Sequence, residues 1–239
     1  MRVGLLFPGE MGAAVGNAAS ADVVWASEGR SAATAERAAN FTDTGTVQEL
    51  LRQSDVILSI CPPAIAEETA EQVFGEGFDG IYVEANAISP ERMRRIAQLD
   101  RRIVDGSIIA AKGINLYLAG PETEQVAGLF QGSEVRAIPI GETIGAASAL
   151  KMAFGGWNKI GIALTSQARE IAKAYGVESQ LEAEGVPADR LQWVRDRAWR
   201  WAPEMEEIAD LCAELGLDEG IPRGAASFYR AVSRAAPPS

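Results

Sequence analysis

Short apolar runs alternate with helical stretches from Val3 to Ile138, and this alternation limits the fold more than any other feature. The apolar runs are Val3–Phe7, Val23–Ser27, Val56–Ile60, Ile81–Glu84, Ile103–Asp105, Leu116–Ala119 and Val135–Ile138. Helical segments lie between the early ones, at Gly12–Ala19, Ala32–Ala39, Val47–Arg52 and Pro90–Leu99. Strands that alternate with helices in this way predict an α/β, doubly wound sheet, and right-handed crossovers make it mostly parallel. From about Gly145 the pattern changes to long helical runs, among them "GAASALKMAFGGWNKIGIALTSQAREIAKAYG". The sequence therefore predicts a sheet domain over residues 1–141 and an all-helical C-terminal domain over 142–239, ending in a frayed "AAPPS".

The first strand breaks into a glycine turn, "MRVGLLFPGEMG". In a G-x-G-x-x-G turn the first glycine makes the bend off the strand, the second admits a pyrophosphate and the third lets helix and strand pack closely. Gly9 and Gly12 fill the second and third places, and Phe7 stands in the first. A buried strand before the turn and small residues after it, Ala13, Ala14, Val15, Gly16 and Ala18, supply the context of a Rossmann-type dinucleotide site. Two glycines alone also fit an ordinary strand-to-helix turn. Pro8, Gly9, Glu10 and Met11 are the cofactor-binding candidates here, with Met11 also readable as packing.

At the end of the second strand, where a Rossmann unit reads the adenosine ribose, the chain has "WASEGRSAAT". Arg30 and Ser31 offer a planar cation and a hydroxyl suited to the 2′-phosphate of NADP, while Glu28 suits NAD. The charge argument favours NADPH over NAD.

Composition removes several functions. A formal net charge of −11 argues against a nucleic-acid partner, whose binding rests on clustered Lys and Arg. No apolar run approaches the ~18 residues of a membrane span, and the first strand is too short for a signal-peptide core with its cleavage site. A soluble, cytoplasmic protein acting on a small molecule is expected. Two distant cysteines and no histidine leave no metal site and exclude a histidine base.

The fragments "GLLFPGEMG", "GRS", "QSDVILSICPP", "EANAISP", "IVDGS" and "GAASALKM" fall in the order and at the spacing of the β-hydroxyacid dehydrogenase group, which includes 6-phosphogluconate dehydrogenase. The chain resembles short members of that group. The resemblance implies an NAD(P)-binding Rossmann domain followed by a helical domain that forms a homodimer and helps to close the active site. It also singles out Lys151, early in the long helix, as the group that gives a proton to the substrate oxygen or takes it away. Ser148 and Asn158, at i−3 and i+7, share its helix face, and Asn158 and Ser107 complete the catalytic candidates. Without the resemblance, Lys151 reads equally well as a lysine snorkelling to water.

Two departures bear on the substrate. The usual Asn four residues after the lysine is Gly155. The expected loop D-A-P-V-S-G-G, which holds a substrate carboxylate, reads "DGSIIAA" from Asp105 to Ala111. Ile109 cannot satisfy a carboxylate, which disfavours a simple 3-hydroxy acid. The same stretch resembles imine reductases, although those usually lack the lysine. Imine reduction and a non-catalytic nucleotide-binding role therefore stand as alternatives. Asn86, read as lying near the nicotinamide or as a turn former, and Cys61, Pro62 and Pro63 over the adenosine side complete the cofactor-binding candidates. Trp193, Trp199 and Trp201 read as core or dimer interface.

Overall fold

The computed structural model describes residues 1–188 and 191–233, so the expected frayed tail at 235–239 lies outside the described residues. The chain forms two compact units, Met1–Lys151 and Met152–Ser239. Gly141, the boundary expected from the sequence, lies in the link before the long helix, whereas the division by contacts falls within that helix.

The first unit holds the strands β1 (Arg2–Leu6), β2 (Asp22–Trp25), β3 (Thr42–Asp43), β4 (Val56–Ser59), β5 (Ile81–Glu84), β6 (Ile103–Ile109), β7 (Ile114–Ala119) and β8 (Val135–Pro139). They make one sheet in the order β3-β2-β1-β4-β5-β6-β7-β8. Every pairing is parallel except β6 with β7. The helices of this unit are α1 (Glu10–Ala18), α2 (Ala32–Arg37), α3 (Val47–Gln53), α4 (Ala66–Gly75), α5 (Pro90–Ile96) and α6 (Thr123–Gly128), followed by the start of α7 (Ala146–Ala174). This is the expected Rossmann-type sheet.

The strands read as continuous apolar runs because both faces are covered. Val3, Leu5, Val56 and Leu58 pack with Val15 of α1 and Val126 of α6, while Leu6 and Ile57 pack with Leu50 of α3, Val73 of α4 and Met93 of α5. Local chemistry starts several helices: Ser31, Thr46 and Ser89 each accept a hydrogen bond from an amide in the first turn of α2, α3 and α5, and Pro90 opens α5.

Three features depart from expectation. β1 stops at Leu6 because Phe7 already turns. Asp105–Ile109, expected as a loop, is strand, since Asp105 to Ile109 pair with Ala119 to Asn115 across the antiparallel hairpin. The helices α4 and α6 and the two-residue β3 were not foreseen; in α4 the inward residues Ala66, Ala70 and Val73 are diluted by acidic neighbours.

The second unit is helical, as expected. It contains the remainder of α7, then α8 (Glu178–Ala183), α9 (Leu191–Arg195), α10 (Ala198–Glu214) and α11 (Gly220–Val232). Its core is partly aromatic: Trp201 packs edge-on against Trp193 and Tyr229 at 5.1 and 5.3 Å between ring centres. Trp201 and Tyr229 are thus core, while Trp199 is exposed.

Candidate functional site

In an open parallel sheet, ligands bind beyond the carboxyl ends of the strands where the order reverses. Here that point lies between β1 and β4, and the turn after β1 stands over it. Phe7 has φ +60°, the left-handed conformation that glycine supplies in the usual motif. A bulky residue holds it at a cost of about 1–2 kcal/mol. The Phe7 carbonyl accepts from the Gly9 amide at 2.6 Å. A Cβ on Gly12 would come within 2.9 Å of that same oxygen, so packing requires Gly12. Gly9 differs. A Cβ there would meet nothing nearer than the Phe7 oxygen at 3.9 Å, and Gly9 leaves open space at the N-terminus of α1. No side chain caps that helix, and the Glu10, Met11 and Gly12 amides bond to no other group among the described residues.

The second role of Phe7 was not legible in the sequence. The Arg30 guanidinium lies 3.9 Å over the centre of its ring, which ties the end of β2 to the turn. Partial burial pulls the Arg30 pKa below its ordinary value. Arg37, which sequence reasoning missed, donates from Nε to the Pro8 carbonyl at 3.3 Å. Ser31 spends its hydroxyl on capping α2 and on Thr34. Pro8 is buried, Glu10 is exposed and Met11 packs against the core beside α1.

Beyond β4 and β5 sits a buried polar cluster. The Cys61 amide donates to Asn86 Oδ1 at 2.6 Å, and Asn86 Nδ2 donates to Cys61 Sγ at 3.1 Å and to Glu84. Tyr82 donates its hydroxyl to Glu84 at 3.2 Å. Burial pushes the Glu84 carboxyl up to about 7, against the pull of these donors. Burial, helped by nearby Glu84, also raises the Cys61 thiol. The sequence candidates Cys61 and Asn86 are therefore brought together, with the Asn86 amide turned into the protein; Pro62 and Pro63 are exposed beside them.

At β6 the chain supplies its own anion. The Asp105 carboxylate accepts from the amides of Gly145, Ala147 and Ser148 at 2.9, 2.9 and 3.1 Å and from the Ser148 hydroxyl at 2.7 Å, capping α7. Burial raises its pKa while these donors oppose the shift. Ser148 is thus committed to Asp105 rather than to a substrate. One turn further along, Lys151 Nζ donates to the Ile108 carbonyl of β6 at 2.5 Å. Ser107, next to Ile108, is fully buried and its hydroxyl has no partner among the described residues. The role of Asp105 could not be seen in the sequence because cap and helix lie 40 residues apart.

Asn158 belongs to the second unit, where it is exposed and lines a cavity with Ser166 and Arg169. At Gly155, a Cβ would come within 2.7 Å of Glu204 Oε1. The space that the usual Asn side chain takes is therefore held by Glu204, which pairs with Lys159 at 2.6 Å.

Comparison with known proteins follows this geometry. A conserved protein of unknown function, whose structure is described as similar to 3-hydroxyacid dehydrogenases, matches at 26% identity and a TM-score of 0.75, over 97% of this chain and 96% of that one. The fold is that of 3-hydroxyacid dehydrogenases. The 3-hydroxyisobutyrate dehydrogenase of Salmonella typhimurium matches at 15% identity and a TM-score of 0.73, over 97% and 93% of the two chains. A Myxococcus stipitatus imine reductase variant solved with NAD+ matches at 18% and 0.51, over 97% and 92%. A family model described as a domain of unknown function (DUF1932) matches residues 172–232. No curated protein matches the sequence. No helix among the described residues is long and apolar enough to cross a membrane.

Proposed function

We propose that the chain is an NADPH-dependent oxidoreductase that transfers hydride between the nicotinamide and a small carbonyl or alcohol substrate. One observation carries this reading: the open space at Gly9 over uncapped amides, at the point where the strand order reverses. Such amides suit a pyrophosphate, and a side chain at Gly9 would fill its place. Arg30, stacked on Phe7 at the end of β2, supports NADPH over NADH. The fold shared with dehydrogenases and an imine reductase supports the reaction class.

The cofactor, when bound, supplies or accepts the hydride. Lys151 supplies the proton to the substrate oxygen during reduction and takes it back during oxidation. Its ammonium rests on the Ile108 carbonyl, and Asp105 fixes the start of the helix that carries it. Imine reduction is the second reading, favoured by buried Ile108 and Ile109 in β6, which offer a substrate carboxylate nothing to bind.

A homodimer belongs to the same proposal. Within the second unit, α7 exposes Trp157, Leu164 and Ile171 at heptad spacing, and Tyr175 just beyond its end is exposed too. Sedimentation should give twice the 25.4 kDa chain mass, and Leu164→Glu should shift it to the monomer.

The functional reading is tested by following NADPH consumption with panels of ketones, aldehydes and cyclic imines. Turnover in any panel supports an oxidoreductase, and the productive panel separates the two readings. A protein that binds NADPH but consumes it with none of them would leave only the nucleotide-binding role.

A further inference from the structure

The second unit holds a cavity of about 290 Å³ that the dinucleotide reading does not use. This is close to the lower end, roughly 300 Å³, of the usual range for small-molecule sites. One wall is a single face of α7, from Asn158 through Ile162 and Ser166 to Arg169; Pro187 stands opposite and Trp157 borders it.

Three unspent polar groups belong to that lining. Arg169 is only 5% exposed. It donates from Nη1 to the Pro187 carbonyl at 3.1 Å and from Nη2 to Glu182 at 2.6 Å, but its buried Nε has no partner among the described residues. Ser166 is equally buried, and its hydroxyl makes no hydrogen bond among the described residues. The Asn158 amide, exposed at the rim, also makes no hydrogen bond among the described residues. Buried polar groups are nearly always satisfied, and a guanidinium N–H left without an acceptor is costly. Arg102 Nε, Ser107 Oγ and Asn115 Oδ1 are likewise buried without a partner among the described residues, but none of them lines this cavity.

We propose that this cavity binds a small organic carboxylate. A carboxylate accepts from several donors at once, and a guanidinium, a hydroxyl and an amide can all give to it. Glu182 occupies one edge of Arg169 and is half exposed, so its charge is turned partly to solvent while the Nε edge remains unspent. A single cation already shared with Glu182 suits a monoanion rather than a polyphosphate. Ile162, Pro187 and Trp157 offer apolar surface to the body of the ligand. An amine would leave all three donors unmet and face the guanidinium. The site lies wholly within the second unit, and the inference does not rest on the proposed oxidoreductase activity.

Calorimetric titration of the full chain with benzoate and its neutral isostere benzamide tests the proposal. Benzoate should bind about tenfold more tightly than benzamide, the worth of one charge-assisted hydrogen bond. Ser166→Ala should weaken benzoate about three- to tenfold and benzamide by less. Thr165→Phe, at a half-buried lining position of α7, should fill the cavity and abolish both. Arg169→Gln should erase the preference for the acid; should it fail to fold, the Ser166 and Thr165 variants decide alone. No benzoate binding at about 10 mM, equal affinity for acid and amide, or full benzoate binding by Thr165→Phe would overturn the proposal.

Discussion

At the N-terminus of α1 no side chain caps the helix and Gly9 leaves space before it, whereas at the N-terminus of α7 the Asp105 carboxylate takes two backbone amides at 2.9 Å and a third at 3.1 Å. α1 follows β1 and α7 follows β8, which runs the opposite way in the sheet, and both present the positive end of a helix dipole. One end is open to an anion from outside; the other is closed by an anion from inside. A free helix N-terminus marks where a ligand can enter. An internally capped one marks where the fold is being held, and at α7 what it holds in place is Lys151.

The largest expected effect tests what the closed end is for. Lys151→Met keeps the volume of the stem and discards the proton, so turnover should fall about 10²- to 10⁴-fold while NADPH affinity stays as in wild type. Single-turnover rates on a productive ketone check this, and an unchanged rate would assign the proton to another group. Unchanged turnover on cyclic imines, which can arrive already protonated, would favour imine reduction.

Next comes the cap itself. Asp105→Ala leaves buried amides at α7 without an acceptor and should lower the unfolding free energy by about 3–4 kcal/mol, with Asp105→Asn costing less. Urea melts of the three proteins measure it. Equal midpoints would mean that the two helix ends do not differ as described.

A smaller effect sharpens the open end. Arg30→Ala should weaken NADPH by about 1.5–3 kcal/mol and leave NADH nearly unchanged, as expected for a contact with the 2′-phosphate. Calorimetry with both cofactors distinguishes this from a loss shared equally, which would assign Arg30 to the turn alone.

The contrast between the two ends also shows what a sequence can reveal. The turn after β1 was legible because its glycines, strand and helix are neighbours in the chain. Phe7 looked like a defect there, yet its backbone takes the conformation of the absent glycine and its ring carries Arg30. Nothing local signals that a phenylalanine will accept φ +60°. The sheet was legible from its apolar runs, while α4 was hidden by polar neighbours and β3 by its length. The closed end at α7 was invisible because Asp105 meets its amides only after β7, α6 and β8 have intervened. Gly155 looked like a lost functional residue until Glu204 was found in the space it leaves.

The central claim is that the open end of α1 receives the pyrophosphate of a dinucleotide, and Gly9→Val tests it most directly. Gly9 has φ −70° and ψ −173°, extended backbone that valine readily adopts, and a Cβ there meets no protein atom closer than 3.9 Å. The variant should therefore melt with the wild type. In paired calorimetric titrations, wild type should bind NADPH and Gly9→Val should bind it at least about tenfold more weakly. Wild type that binds neither NADPH nor NADP at millimolar concentration, or a Gly9→Val variant that binds as tightly as wild type, would contradict the account.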